Sequence, residues 1–127
     1  MSYDKEIVSD TLSQICEAID NIKEWSREIK SGDDFVTSSD GMRTLAAVCM
    51  LLEAIGEGVK KIDKRTESQL LRVVCPEIPW KNIMGMRDHI AHGYFNIDAD
   101  FVFDVVNSDL EPLKEAVEKI TDYLRER

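Results

Sequence analysis

Apolar residues recur along this chain at mixed three- and four-residue steps. Nowhere do β-branched residues alternate with polar ones over a convincing stretch. Between residues 4 and 30, Ile7, Val8, Leu12, Ile15, Cys16, Ile19, Ile22, Trp25 and Ile29 form the stripe of a long amphipathic helix. Ser31-Gly32-Asp33-Asp34 is expected to end it, with Phe35 opening a short connection. A second long helix is expected after the cap candidates Ser38-Ser39-Asp40, running to about Asp63. Its stripe is Met42, Leu45, Cys49, Leu52, Ile55, Val59 and Ile62, and the small residues Ala46, Ala47, Gly56 and Gly58 would let a neighbouring helix approach closely.

Thr66 then reads as the cap of a short helix through Val74, and Pro76 and Pro79 force an extended turn. Pro79 stands where a helix can begin, so the next helix is expected from about Trp80 to His92, closed by Gly93. A final helical region runs from about Ala99 to Arg125, either kinked by Pro112 or restarted by Ser108 as a new cap. The pattern therefore predicts an all-α fold, an antiparallel bundle of four or five helices forming one domain over residues 1–127.

Composition narrows this picture. At 127 residues, with 43% hydrophobic and 32% charged positions, the chain suits one globular domain built from helices with solvated outer faces. No apolar run approaches the ~18–20 residues of a membrane-spanning helix, and the first residues lack the basic start and apolar stretch of a signal peptide. A cytoplasmic protein without membrane contact is the expectation. Cys16, Cys49 and Cys75 are odd in number and widely spaced, which fits neither a disulfide framework nor a zinc site. Gly56-x-Gly58 lacks the strand and the further glycine of a phosphate loop, so helix packing explains it better. The net charge of −9 repels nucleic acid unless a local patch overrides it. Lys60, Lys61, Lys64, Arg65 and Arg72 form such a patch, or else simply the solvated end of a helix.

Both histidines, a tyrosine and an arginine fall in one window, residues 80–98, with the spacing Arg87-x4-His92-x-Tyr94. On one continuous helix Arg87 and His92 would diverge by about 140°, while Asp88 and His92 would share a face. Asp88 could then orient the imidazole, and a helix C-terminus would favour its protonated form. A histidine that moves protons beside an arginine that holds phosphate oxygens suits a phosphodiester and needs no metal. His89 and His92 have the spacing of metal ligands, but the sequence offers no evident third ligand, so His89 is expected to pack or hydrogen-bond instead. A structural polar cluster of Arg87, Asp88 and His92 stands as the alternative, with Tyr94 a half-buried packing residue.

The run from Pro76 to Asp88, PEIPWKNIMGMRD, followed by His92-Gly93-Tyr94, resembles the signature of the HepT-like proteins of the HEPN superfamily. Ile55-Gly56-Glu57 and Asn96-Ile97-Asp98 extend the resemblance over nearly the whole chain; Cys75 and Gly58 depart from it outside the motif. The resemblance implies the toxin of a toxin–antitoxin system: a homodimeric, metal-independent ribonuclease without cofactor, whose motifs meet in a cleft at the dimer interface. It implies Arg87 and His92 as the catalytic pair, Asp88 as an assistant, and RNA as the substrate. It further implies a minimal nucleotidyltransferase as partner, with Tyr94 as the acceptor of AMP that silences the toxin. Because the chain is acidic, a non-catalytic helical module that binds the nucleotidyltransferase, as antitoxin or nucleotide-presenting partner, is the competing expectation.

Overall fold

In a computed structural model, which describes residues 3–91 and 95–126, the expected all-α fold is present. Helix α1 covers Lys5–Trp25, and the Asp4 side chain accepts hydrogen bonds from the backbone N–H groups of Glu6 and Ile7 at its start. A 3-10 turn, Gly32–Phe35, leads to α2, Ser39–Arg65, where Ser38 Oγ accepts from the Gly41 N–H at 2.9 Å. The helices α3 (Leu70–Val74), α4 (Trp80–Met84), α5 (Met86–Ile90) and α6 (Ala99–Asp104) are short. A π turn, Val105–Asp109, joins α6 to α7, Leu110–Arg125.

Three long helices carry the core. Helix α1 packs on α2, with Ile15 and Thr11 lying against Gly58. The end of α1 meets the start of α7 through the ion pairs Lys23–Glu111 and Lys114–Asp20, the latter at 2.7 Å, so that pair is antiparallel. Between them Leu12, Ile19, Ile22, Leu52, Ile55 and Ile120 are fully buried. Each such side chain stabilises the fold by about 1.5–3 kcal/mol relative to exposure.

Several boundaries differ from the pattern. Helix α1 stops at Trp25, and the chain tightens into a turn in which Ser26 and Arg27 donate to Ile22 and Glu24. Ile29 still packs on the core, but from an irregular segment. Met42 belongs to the exposed face of α2, not to its buried stripe, and Ala46 is exposed as well. Thr66 caps nothing that follows. It is buried at the end of α2, where its hydroxyl donates back to the Ile62 carbonyl at 2.9 Å. Glu67 and Ser68 then take left-handed backbone angles before α3 begins.

The helix expected over residues 80–92 is divided at Gly85 and ends at Ile90. Ala91 is extended (φ −153°, ψ 149°) and pairs with Ile97 in an antiparallel bridge, reinforced by the Asp98 N–H donating to the Ile90 carbonyl. Near the C-terminus, Pro112 lacks an N–H and crowds the carbonyl four residues back, and the preceding turn opens so that the Leu110 N–H donates to Val105. Asp109 makes no side-chain cap to α7, so the region is one interrupted helix and not a fresh start.

Candidate active site

Gly56 determines how close the motif segment comes to the long helices. A Cβ placed there would lie 2.8 Å from the Ile83 carbonyl oxygen and 3.4 Å from Met86 Cβ, so only glycine admits the α4–α5 backbone at this distance. Trp80 anchors the other end of that segment, buried and donating its indole N–H to the Cys75 carbonyl at 2.8 Å. Met86 and Ile90 point into the core, which turns Arg87 and Asp88 outward.

The Arg87 side chain is 77% exposed, and its Nε lies 3.2 Å from Glu53 Oε1 on α2. Contact at Nε leaves the two terminal nitrogens available to an incoming oxyanion. Asp88 is exposed beside it. His89 is exposed on another flank of α5, its ring against Phe101 at a centroid distance of 5.9 Å. It borders a largely apolar cavity of about 240 Å³ between α2, α4 and α7.

His92 and Tyr94 lie outside the described residues. Of the described residues on either side, Ala91 and Ile97 pair in the antiparallel bridge directly after α5. Helical spacing holds within α5 up to Ile90, and Ala91 is extended; the expected relations of Arg87 and Asp88 to His92 fall outside the described residues. Phe95, on the same segment, is 94% exposed.

Glu53 and Phe95 were not singled out by the sequence. Glu53 looked like one acid among many on the polar side of α2, and only the packing of α5 reveals its partner.

The basic cluster divides in two. Arg72 is held by Asp63 at 2.8 Å and is thereby partly neutralised. Lys60, Lys61, Lys64 and Arg65 are exposed. With about 100° per residue, Met42, Ala46, Met50, Glu53, Glu57, Lys60 and Lys64 fall within a sector of about 80° on α2. Arg87 therefore sits beside a face that is apolar towards one end and basic towards the other, Lys60 being roughly 10 Å along the axis from Glu53.

Burial pushes all three thiols up, Cys49 to about 11 with help from the nearby Glu53 carboxylate, so none is an activated nucleophile. Cys49 and Cys75 are buried packing residues and Cys16 is half-buried. Among the described residues no three His, Cys, Asp or Glu side chains gather in a group able to hold a metal, and no helix is long and apolar enough to cross a membrane.

The profile of the family described as "Ribonuclease HepT-like" matches residues 15–120. The chain belongs to this HepT-like ribonuclease family. It is 37% identical over 111 residues to the "Probable ribonuclease HepT" of Thermococcus cleftensis, covering 87% of this chain and 93% of that protein. It is 33% identical over 109 residues to the "Putative RNase MJ1216" of Methanocaldococcus jannaschii, covering 86% and 83%. A third relative, also from Methanocaldococcus jannaschii, is "Gamma-glutamylcyclotransferase and putative RNase MJ0434", 34% identical over 113 residues, which span 89% of this chain but 47% of that protein. No solved structure matches the chain. A ribonuclease activity follows for this HepT-like chain.

Proposed function

We propose that this HepT-like ribonuclease is the toxin of a toxin–antitoxin system, a metal-independent, cytoplasmic endoribonuclease acting as a homodimer through Arg87 and His92. The observation that carries this reading is the placement of Arg87, 77% exposed on a one-turn helix and paired at Nε with Glu53, in a chain of the HepT-like ribonuclease family. In the proposed reaction His92 removes the proton from a ribose 2′-OH, the 2′ oxygen attacks the adjacent phosphorus, and the P–O5′ bond breaks. His92 returns the proton to the departing 5′ oxygen, leaving a 2′,3′-cyclic phosphate and a 5′-hydroxyl. Arg87 holds the phosphate oxygens as negative charge builds, and Asp88 assists as a neighbouring polar group.

The dimer reading is supported by the exposed methionines Met42 and Met50, 57% and 65% accessible, on the same face of α2 as Glu53. A second copy seated there would bring two Arg87 side chains into one cleft, approached past Lys60 and Lys64. That local basic stretch offsets the −9 net charge where RNA would enter. A minimal nucleotidyltransferase is the proposed antitoxin, and Tyr94, two residues after His92, the proposed acceptor of AMP; the added anion would repel the RNA phosphate. All of residues 1–127 act as one domain in this reading.

The test is purified protein with RNA in excess EDTA, alongside growth after induction without the neighbouring nucleotidyltransferase. Wild type cleaves to cyclic-phosphate ends and arrests growth; Arg87→Ala and His92→Ala stay folded and do neither. Cleavage that stops in EDTA, or full activity in both variants, overturns the mechanism. Harmless expression of the wild type would favour the competing non-catalytic module that docks on the nucleotidyltransferase. Intact mass after co-expression checks Tyr94, with Tyr94→Phe remaining unmodified.

A further inference from the structure

Arg87 is presented by a helix of five residues, interrupted at Gly85 on one side and ended by extended Ala91 on the other. Such a short element gives little rigidity to a long side chain that is 77% exposed. Two residues of α2, three positions apart, supply what α5 lacks. Gly56 receives the backbone, with the Ile83 carbonyl and Met86 packed where a Cβ would stand. Glu53 receives the side chain, its Oε1 3.2 Å from Arg87 Nε. Glu53 is itself only 36% exposed and rooted on a 27-residue helix, so it is the better-fixed member of the pair.

We propose that Glu53 is the positioning residue of the ribonuclease site, holding the Arg87 guanidinium by its Nε edge so that both terminal nitrogens face the scissile phosphate. The proposal rests on Arg87 being the phosphate-holding group. The ion pair meets the guanidinium at Nε, and the two terminal nitrogens carry four of its five N–H donors for the substrate. What Glu53 contributes is an acceptor in a fixed place. Its negative charge is incidental and even opposes an anionic substrate, so an uncharged acceptor of the same length should serve.

The test uses the full-length protein with Glu53→Ala, Glu53→Gln and Arg87→Ala. The first measurement needs no RNA: the Arg87 Nε–H resonance, assigned by its loss in Arg87→Ala, should be sharp in wild type and Glu53→Gln and broadened in Glu53→Ala. The second is cleavage of a mixed-sequence single-stranded RNA oligonucleotide. With positioning lost, kcat of Glu53→Ala should fall by roughly tenfold or more while KM changes little. Glu53→Gln should stay within about threefold of wild type, because it keeps the acceptor. An unchanged Arg87 resonance in Glu53→Ala overturns the proposal, as does Glu53→Gln falling as far as Glu53→Ala. So does a rise in activity in both variants, which would make Glu53 a mask over Arg87. An active Arg87→Ala would instead remove the reading of Arg87 on which the proposal stands, and the two failures are thereby told apart.

Discussion

Replacing Gly56 and Gly58 by alanine, one at a time, separates tertiary contact from helix propensity within a single turn of α2. Each substitution gains roughly 0.8–1 kcal/mol from removing a mid-helix glycine. At Gly56 the new Cβ would lie 2.8 Å from the Ile83 carbonyl oxygen, a backbone atom that moves only if the α4–α5 segment moves. Overpacking of that kind costs about 1–3 kcal/mol, leaving a net loss near 1 kcal/mol. At Gly58 the new Cβ would lie 3.3 Å from Ile15 Cδ1 and Cγ1, side-chain atoms that can give by a few tenths of an ångström. Most of the propensity gain should survive there, about 0.5–1 kcal/mol. Denaturant unfolding followed by helical circular dichroism, with an unchanged m-value, should place the variants roughly 1.5–2 kcal/mol apart on opposite sides of wild type. For a chain of this size the difference corresponds to roughly 5–10 °C in Tm. Equal stabilities, or a Gly56→Ala protein more stable than wild type, would refute the close approach of α4–α5 to α2.

Ser38→Ala removes the acceptor of the Gly41 N–H and should cost about 1 kcal/mol in the same unfolding assay, with Ser38→Asp restoring it. Cys49 should resist iodoacetamide at pH 8 in the folded protein and react once urea unfolds it, read by mass spectrometry. Its thiol is neutral in both states below the ordinary value of 9.0; between there and about 11 the unfolded thiol ionises first. This contribution to stability is therefore complete at pH 8 and lost as the pH rises through that window, so Cys49→Ala should lessen the alkaline fall in stability.

The long helices were legible because two independent signals agreed on them. Period and cap coincide at Ser38, where the hydroxyl does what its position suggests. Thr66 carries the same type of side chain and does the reverse, bonding back into the helix that ends, and no glycine marks the left-handed turn at Glu67 and Ser68 that makes this necessary. The early stop of α1 at Trp25 likewise has neither glycine nor proline to announce it. In the site, Arg87 and Asp88 were legible through the motif. The end of their helix was not, because pairing with Ile97 extends Ala91 and stops α5 ahead of the glycine expected to stop it. Glu53 was hidden for a related reason: its partner lies 34 residues away and on the far side of two prolines. Local pattern reports a residue's own element, and these features belong to the meeting of two.

The π turn at Val105–Asp109 is a shift of phase. In an unbroken α-helix Val105 and Leu110, five residues apart, would point about 140° away from one another. Both are buried, because the Leu110 N–H reaches back five residues and the widened turn absorbs the surplus rotation, leaving Asn107, Ser108 and Asp109 in solvent. The segment behaves as an inserted residue stored inside a helix. A relative one residue shorter between positions 105 and 109 could keep the apolar faces of both flanking helices inward by closing this turn to a regular one. A relative of equal length that lost the π turn would instead swing one of those faces outward. Alignments through this region therefore have a natural place for a one-residue gap, and it is a place where length can change while the core on either side stays in register.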